Sequence, residues 1–273
     1  MRLRFDDRLE KYLFFFVIVW FLILSSALVI KGMAVGEIDL DFTIPYLFFM
    51  IIPLIITYAI PWEEEKDIKF DRREAKKAII YLGVLMLWYP LGAALLLGGT
   101  FPGHSIGHLI IDYPVVPPVV SFDLAATLYR FAPLFLIFLF VMIRKQSLKT
   151  IGITTRNLRR SMILVIIPFA YLLYCIFTSS FSPASIMAIT LTFLIVGIVE
   201  EFNFRGFPLF RLEPLGKGMA ILITGVLFAA MHGLGAFSSI LVPGLAWGLI
   251  FSKTRNILPL ILLHMFCDIV ALL

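Results

Sequence analysis

Glu200 and Glu201 stand side by side, with Arg205 one helical turn further on, at the end of the apolar run 186–199 (IMAITLTFLIVGIV). Charge in such a run is expensive, at roughly 2.5–3.5 kcal/mol for one ionised side chain near mid-bilayer on insertion scales. Acids and a base placed there read as a functional site. Two later apolar runs each carry one histidine, His232 and His264, and Asp268 follows His264 by one turn. Carboxylates and imidazoles held away from bulk solvent are the groups that take a proton from a water molecule.

The spacing divides the labour. On a helix advancing about 100° per residue, Glu201 and Arg205 are i and i+4 and pair, while Glu200 points to a neighbouring face. The pair is read first as a buried ion pair fixing helix geometry. Glu200 is left without a helical cation, and a desolvated carboxylate of that kind is a competent general base. Asn203 shares roughly its face, and either orients it or packs between helices. His232 ends Phe228-Ala229-Ala230-Met231-His232, with Phe228 one turn earlier on the same face, and His264 and Asp268 share one stripe of the last helix. Two histidines and a glutamate on facing helices would suit Zn²⁺. Neither HExxH nor any i, i+4 histidine pair occurs in this half, and no thiolate spacing is present, so no metal and no cofactor is expected. His104 and His108 are four apart, but in a Pro/Gly-bearing segment that reads as loop.

These residues need helices to hold them at depth. With 61% hydrophobic and 15% charged residues over 273 positions, the chain has too little polar surface for a soluble globule. Its apolar runs are continuous, which excludes a β-barrel. They fall at 12–30, 43–61, 78–98, 124–143, 161–178, 186–204, 219–232, 236–252 and 257–273, and the glycines around 233 make two of the last three separable or one broken element. The expectation is an all-α polytopic transmembrane bundle of eight to nine helices. Within a single membrane domain, residues 1–160 form N-terminal helices ending in the basic connector 144–160, and 161–273 form the core that holds the chemistry. The first run is too long for a cleaved signal and lacks a small-x-small site, so it reads as a retained helix.

Segments 1–11, 62–77, 144–160, 205–218 and 253–256 hold 21 of the 23 Lys and Arg, leaving Lys31 outside and Arg130 within a helix. The positive-inside rule then places the N-terminus in the cytoplasm. The net charge of +5 describes loops facing anionic lipid headgroups, and no nucleic-acid module is visible. Segment 62–77 is expected to prolong the following helix as an ion-paired face, Cys175 and Cys267 to pack without a disulfide, and Arg130 to snorkel or pair. Prolines 45, 53, 90, 168, 208, 243 and 259 are expected mostly as kinks, and Gly244 and Gly248 as a site of close helix approach. If the helix holding Glu200 ends near Glu213 and the others begin near Leu215 and Arg255, the three polar sites lie about 13–26 Å from those ends and meet near the midplane.

Here the sequence resembles a known family. Glu200-Glu201-Phe202-Asn203-Phe204-Arg205 matches the EExxxR motif of the CAAX protease and bacteriocin-processing family, also called ABI proteins. Phe228 to His232 matches its FxxxH motif, and His264 to Asp268 its HxxxN/D motif, in the same order. The resemblance covers residues 186–273. It implies a glutamate-type intramembrane endopeptidase related to the enzymes that trim prenylated CAAX proteins, its cavity opening towards the cytoplasm. Glu200 and His232 would activate the water, and His264 with residue 268 would form the oxyanion site. Asp268 stands where prenyl-protease relatives often have Asn. An ionised Asp cannot donate to an oxyanion, so it is either protonated or orients His264, and orientation is favoured because a carboxylate is the usual partner of histidine. The implied partners are membrane lipid and a prenylated or membrane-anchored protein substrate. Two other classes fit the same residues: a proton-coupled transporter, and a non-catalytic bacteriocin-immunity or scaffold protein.

Overall fold

The computed structural model describes residues 5–35, 43–63, 68, 70–96, 124–233 and 235–273, with the backbone alone for 28–35, 43, 92–96 and 124–130. His104, His108 and the side chains of Lys31 and Arg130 lie outside that description. Among the described residues there is no strand, and nine helical passes succeed one another. They are α1 (Arg8–Val35), α2 (43–59), α3 (Arg72–Leu96), α4 (Leu124–Ile143), α5 (Ile163–Thr178), α6 (Pro183–Glu201, prolonged to Leu215), α7 (Lys217–Met231), α8 (Phe237–Thr254) and α9 (Leu258–Leu272). Each falls on one of the apolar runs. Four helical segments, Arg8–Ala27, Leu158–Thr178, Pro183–Leu215 and Phe237–Thr254, are long and apolar enough to cross a bilayer, and four shorter apolar helices accompany them. Large apolar side chains stay exposed along α1, α3, α4 and α5, as a lipid-facing surface requires. The chain is an integral membrane protein.

The helix ends follow local chemistry. Ser182 accepts the Ser185 N–H ahead of Pro183 to start α6, and Asn256 accepts the Leu258 N–H to start α9. The Asp71 side chain accepts the Arg73 and Glu74 N–H groups, so α3 begins at Arg72 and takes in only the end of the charged 62–77 segment. α7 is capped from another helix: Asp7 of α1's lead-in accepts the Gly218 N–H at 3.0 Å. At its far end α7 stops at His232, because Gly233 turns the chain with φ +83°.

Prolines do more than kink. Pro53, Pro208 and Pro259 sit in the first turns of their segments, where a missing N–H costs little, while Pro90, Pro168 and Pro243 lie in helix interiors. Pro53 and Pro208 each follow a single wide i→i+5 turn, 47–51 in α2 and 202–206 at the end of α6, the second closed by the Phe207 N–H on the Phe202 carbonyl at 3.0 Å.

The two halves are stitched together by the connector 144–160. Arg211, fully buried on the α6 extension, donates to Gln146 Oε1 (2.5 Å), to the Thr150 carbonyl (3.2 Å) and to the Phe207 carbonyl (2.9 Å), with Glu74 of α3 3.4 Å from its Nε. Asn157 bonds the Glu63 and Thr254 carbonyls, and the Gly152 carbonyl accepts the Ile257 N–H. The main apolar core accordingly draws on both halves, from Leu13 to Leu263. Cys175 and Cys267 are free thiols, both half-buried.

Candidate functional site

α6, α7, α8 and α9 bring the polar residues together. α7 and α8 approach closely because both contribute glycine: a Cβ on Gly244 would lie 2.8 Å from the Gly225 carbonyl oxygen, and one on Gly225 would lie 3.2 Å from the Gly244 carbonyl carbon. Gly197 does the same for α6 against α9, where a Cβ would meet the Ile261 carbonyl at 3.1 Å. These approaches are the small-residue contacts that let helices associate in lipid. Gly248, also in the close-approach pattern, faces Ile221.

The expected Glu201–Arg205 pair forms. Arg205 Nη1 donates to Glu201 Oε1 at 3.1 Å, both side chains fully buried, and Nη2 donates to the Gly244 carbonyl at 3.2 Å. The guanidinium also lies over the Phe228 ring, 4.2 Å from its centroid. The same Glu201 oxygen takes a second bond, from His264 Nδ1 at 2.8 Å. Orientation of His264 therefore comes from Glu201, where sequence spacing had favoured Asp268. Asp268 lies across the ring instead, its Oδ2 3.5 Å from Nε2. At that length it is not a well-formed hydrogen bond.

Glu200 is the contrasting carboxylate. Its Oε2 is buried and accepts no hydrogen bond, yet it lies 3.8 Å from His232 Nε2 and 3.6 Å from His264 Nε2. His232 Nδ1 is 2.9 Å from the Phe228 carbonyl. A carbonyl only accepts, so Nδ1 carries the proton and a neutral His232 presents the Nε2 lone pair towards Glu200. The 3.8 Å gap is too long for a direct bond and short enough for one water to bridge. Glu200, His232, His264 and Asp268, all proposed from sequence, converge as a set.

Asn203 does not join them. Its Oδ1 accepts the Tyr81 hydroxyl at 2.7 Å and its Nδ2 faces the Tyr89 hydroxyl at 3.4 Å, so it ties α6 to α3. Access lies at His232 and Asp268, whose side chains are 20% and 27% exposed, against 4% for His264. The exposed edge sits by the Gly233 turn, one α7 length, about 22 Å, from Lys217 at the other end of that helix.

One neighbour had no signal in the sequence beyond being aromatic in an apolar helix. Trp247, 2% exposed, sets its ring 4.5 Å from the His264 ring at 35°.

Residues 182–270 match the family model described as type II CAAX prenyl endopeptidase Rce1-like. No curated protein and no solved structure matches the chain. The matched segment is about a third of the sequence and contains all three motifs, so the resemblance they carry is borne out over α6 to α9.

Proposed function

We propose, from the place of residues 182–270 in a family of CAAX-type membrane proteases, that the chain is an intramembrane endopeptidase cutting near the C-terminus of prenylated or membrane-anchored proteins. The observation that carries the reading is the buried Glu200 carboxylate oxygen facing His232 Nε2 at 3.8 Å, without a protein donor of its own. A bridging water donates one O–H to Glu200 and the other to His232, which leaves an oxygen lone pair free to attack. Glu200 takes the proton as the water oxygen bonds the scissile carbonyl carbon. The proton then passes to the departing amine nitrogen as the C–N bond breaks.

The negative charge on the former carbonyl oxygen needs a donor. His264 holds Nδ1–H on Glu201, so its Nε2–H, when the ring is charged, is the group that faces the reacting oxygen. Asp268 either supports that charge as a carboxylate or donates as the neutral acid. The Lys and Arg at the helix ends support a cytoplasmic N-terminus. An isoprenoid-bearing tail suits a site walled by helices, with the lipid left in the bilayer and the peptide presented to the cleft.

The test is cleavage of a fluorogenic prenylated peptide by the purified protein, beside its unprenylated twin. Turnover should vanish in Glu200→Gln and His232→Gln with folded protein retained, and persist in chelator. Full turnover in Glu200→Gln, or proton-coupled uptake with no cleavage by the wild type, overturns the proposal.

A further inference from the structure

The His264 ring is anchored by one hydrogen bond, Nδ1 to Glu201, and a planar ring held at a single atom can still rock about its Cβ–Cγ bond. Two aromatic contacts stop it. Trp247 covers one face at 4.5 Å between centroids, and Phe228 meets it nearly edge-on at 6.0 Å and 81°. The indole suits the task chemically, because its single polar group is a donor and offers nothing to compete for Nε2. That donor is turned away, onto the Phe49 carbonyl of α2 at 3.3 Å.

The Phe49 carbonyl is open for a reason written in the sequence. The residue four positions on, whose N–H would close the helical bond, is Pro53. The relation is reciprocal. The Tyr46 hydroxyl of α2 donates to the Ser239 carbonyl of α8 at 3.1 Å, and four residues beyond Ser239 stands Pro243. α2 and α8 thus exchange side-chain donors for carbonyls that prolines leave without a helical N–H. We infer that Trp247 is a positioning residue for His264, held in register by Pro53 and Phe49, so that the N-terminal half, to which the three motifs assign no residue, helps set the aim of the site. The inference rests on the hydrolytic reading of the cluster for its effect on rate, though not for its effect on the ring.

Full-length protein in detergent is compared as wild type, Trp247→Phe, Trp247→Leu and Pro53→Ala. Phe keeps the ring and loses the N–H; Leu loses both; Ala at 53 gives the Phe49 carbonyl its helical partner. With the prenylated peptide, Trp247→Leu should lower kcat roughly tenfold, the scale of one lost aromatic contact, with KM within about twofold. Trp247→Phe and Pro53→Ala, each of which weakens or removes the indole's bond to the Phe49 carbonyl, should each lower kcat by about threefold, and wild-type kcat in both overturns the part assigned to α2. Should Trp247→Leu not fold, Trp247→Met, flexible and without a ring face, carries the same expectation.

A spectroscopic arm needs no turnover. In ¹⁵N-histidine-labelled protein, with the His264 ring signals identified by their loss in His264→Gln, wild type and Trp247→Phe should each show one sharp set. Trp247→Leu should show broadened or doubled signals. An unchanged His264 spectrum in Trp247→Leu overturns the inference, as does wild-type kcat in that variant. A wild type that cleaves no peptide overturns the proposed function, and the spectrum still decides whether Trp247 holds the ring.

Discussion

The two adjacent glutamates should separate stability from activity when each is replaced by glutamine. Glu201 is fully buried, and its Oε1 serves both Arg205 at 3.1 Å and His264 at 2.8 Å. Glutamine keeps the shape and an acceptor oxygen but removes the charge, leaving the buried guanidinium in contact with neutral groups: that amide oxygen, the Gly244 carbonyl and the Phe228 face. Removing one partner of a buried ion pair costs about 3–5 kcal/mol. At roughly 2–4 °C per kcal/mol for a chain of this size, the unfolding midpoint of Glu201→Gln falls by on the order of 10 °C. Glu200 offers the opposite case. Its Oε2 accepts no hydrogen bond, and the two imidazole nitrogens near it stand at 3.6 and 3.8 Å. Glutamine there removes one of three clustered carboxylates and breaks no hydrogen bond to that oxygen, so stability should change by less than about 1 kcal/mol. Turnover should still fall by roughly 10²–10⁴, the range for a lost general base. The measurements are thermal unfolding in detergent and the prenylated-peptide assay on the same preparations. Equal loss of stability in the two variants, or a Glu201→Gln protein that melts with the wild type, refutes the assignment of separate tasks.

Three further outcomes follow from the packing. Gly244→Ala drives a methyl to 2.8 Å from the Gly225 carbonyl, so α7 and α8 must part at a cost of about 1–3 kcal/mol, measurable as a lower midpoint. Gly83→Ala meets nothing within 4 Å on α3 and should stabilise by about 0.5–1 kcal/mol, whereas Gly233→Ala, equally unobstructed but at φ +83°, should destabilise by about 1–2 kcal/mol. Burial raises the Asp6 carboxyl, but Lys217 and Lys253 outweigh it and hold the group below its ordinary 3.8. The anchor of α1 is therefore fully present above about pH 4 and is lost as pH falls through the lower folded-state value, seen as faster hydrogen exchange in α1 that Asp6→Asn shows at neutral pH already.

Hydropathy gave nearly every helix, because a run of apolar residues ending in charge is bounded by the same solvation cost that bounds the helix. At α6 the apolar run alone stops before Arg205, but the helix was expected to end near Glu213, and the helical path does continue to Leu215 because Glu201, the Gly244 carbonyl and the Phe228 ring compensate that charge inside the protein. The i, i+4 relation of Glu201 and Arg205 was legible, being local. The bond from His264 to Glu201 was not, since the two stand 63 positions apart and neither motif states which carboxylate faces α9. Asp268 shared a stripe with His264 and so seemed its natural partner, but the Nδ1 side of the ring was already taken. The prolines were visible as letters and expected mostly as kinks; a further consequence, a carbonyl one turn earlier without its helical N–H, emerges only when a donor from another helix arrives.

The adjacency of the glutamates has a physical logic that the three motifs share. Successive helical residues diverge by about 100°, so one turn of α6 can address the packed interior with Glu201 and the cleft with Glu200. Arg205 must belong to the first. A guanidinium bonded to Glu200 would saturate the oxygen that receives the proton in the proposed mechanism, and a carboxylate already holding an ion pair is a poor base. Bonded to Glu201 it neutralises one of the three acids and lets that acid orient His264, while the neighbouring oxygen stays open towards His232. The wide turn at 202–206 then carries the chain on to Arg211, whose bonds to Gln146, Thr150 and Phe207 fix the end of the segment. The cluster is hydrogen-bonded on its Glu201 side and has no protein donor on its Glu200 oxygen, and the proposed hydrolysis requires that asymmetry.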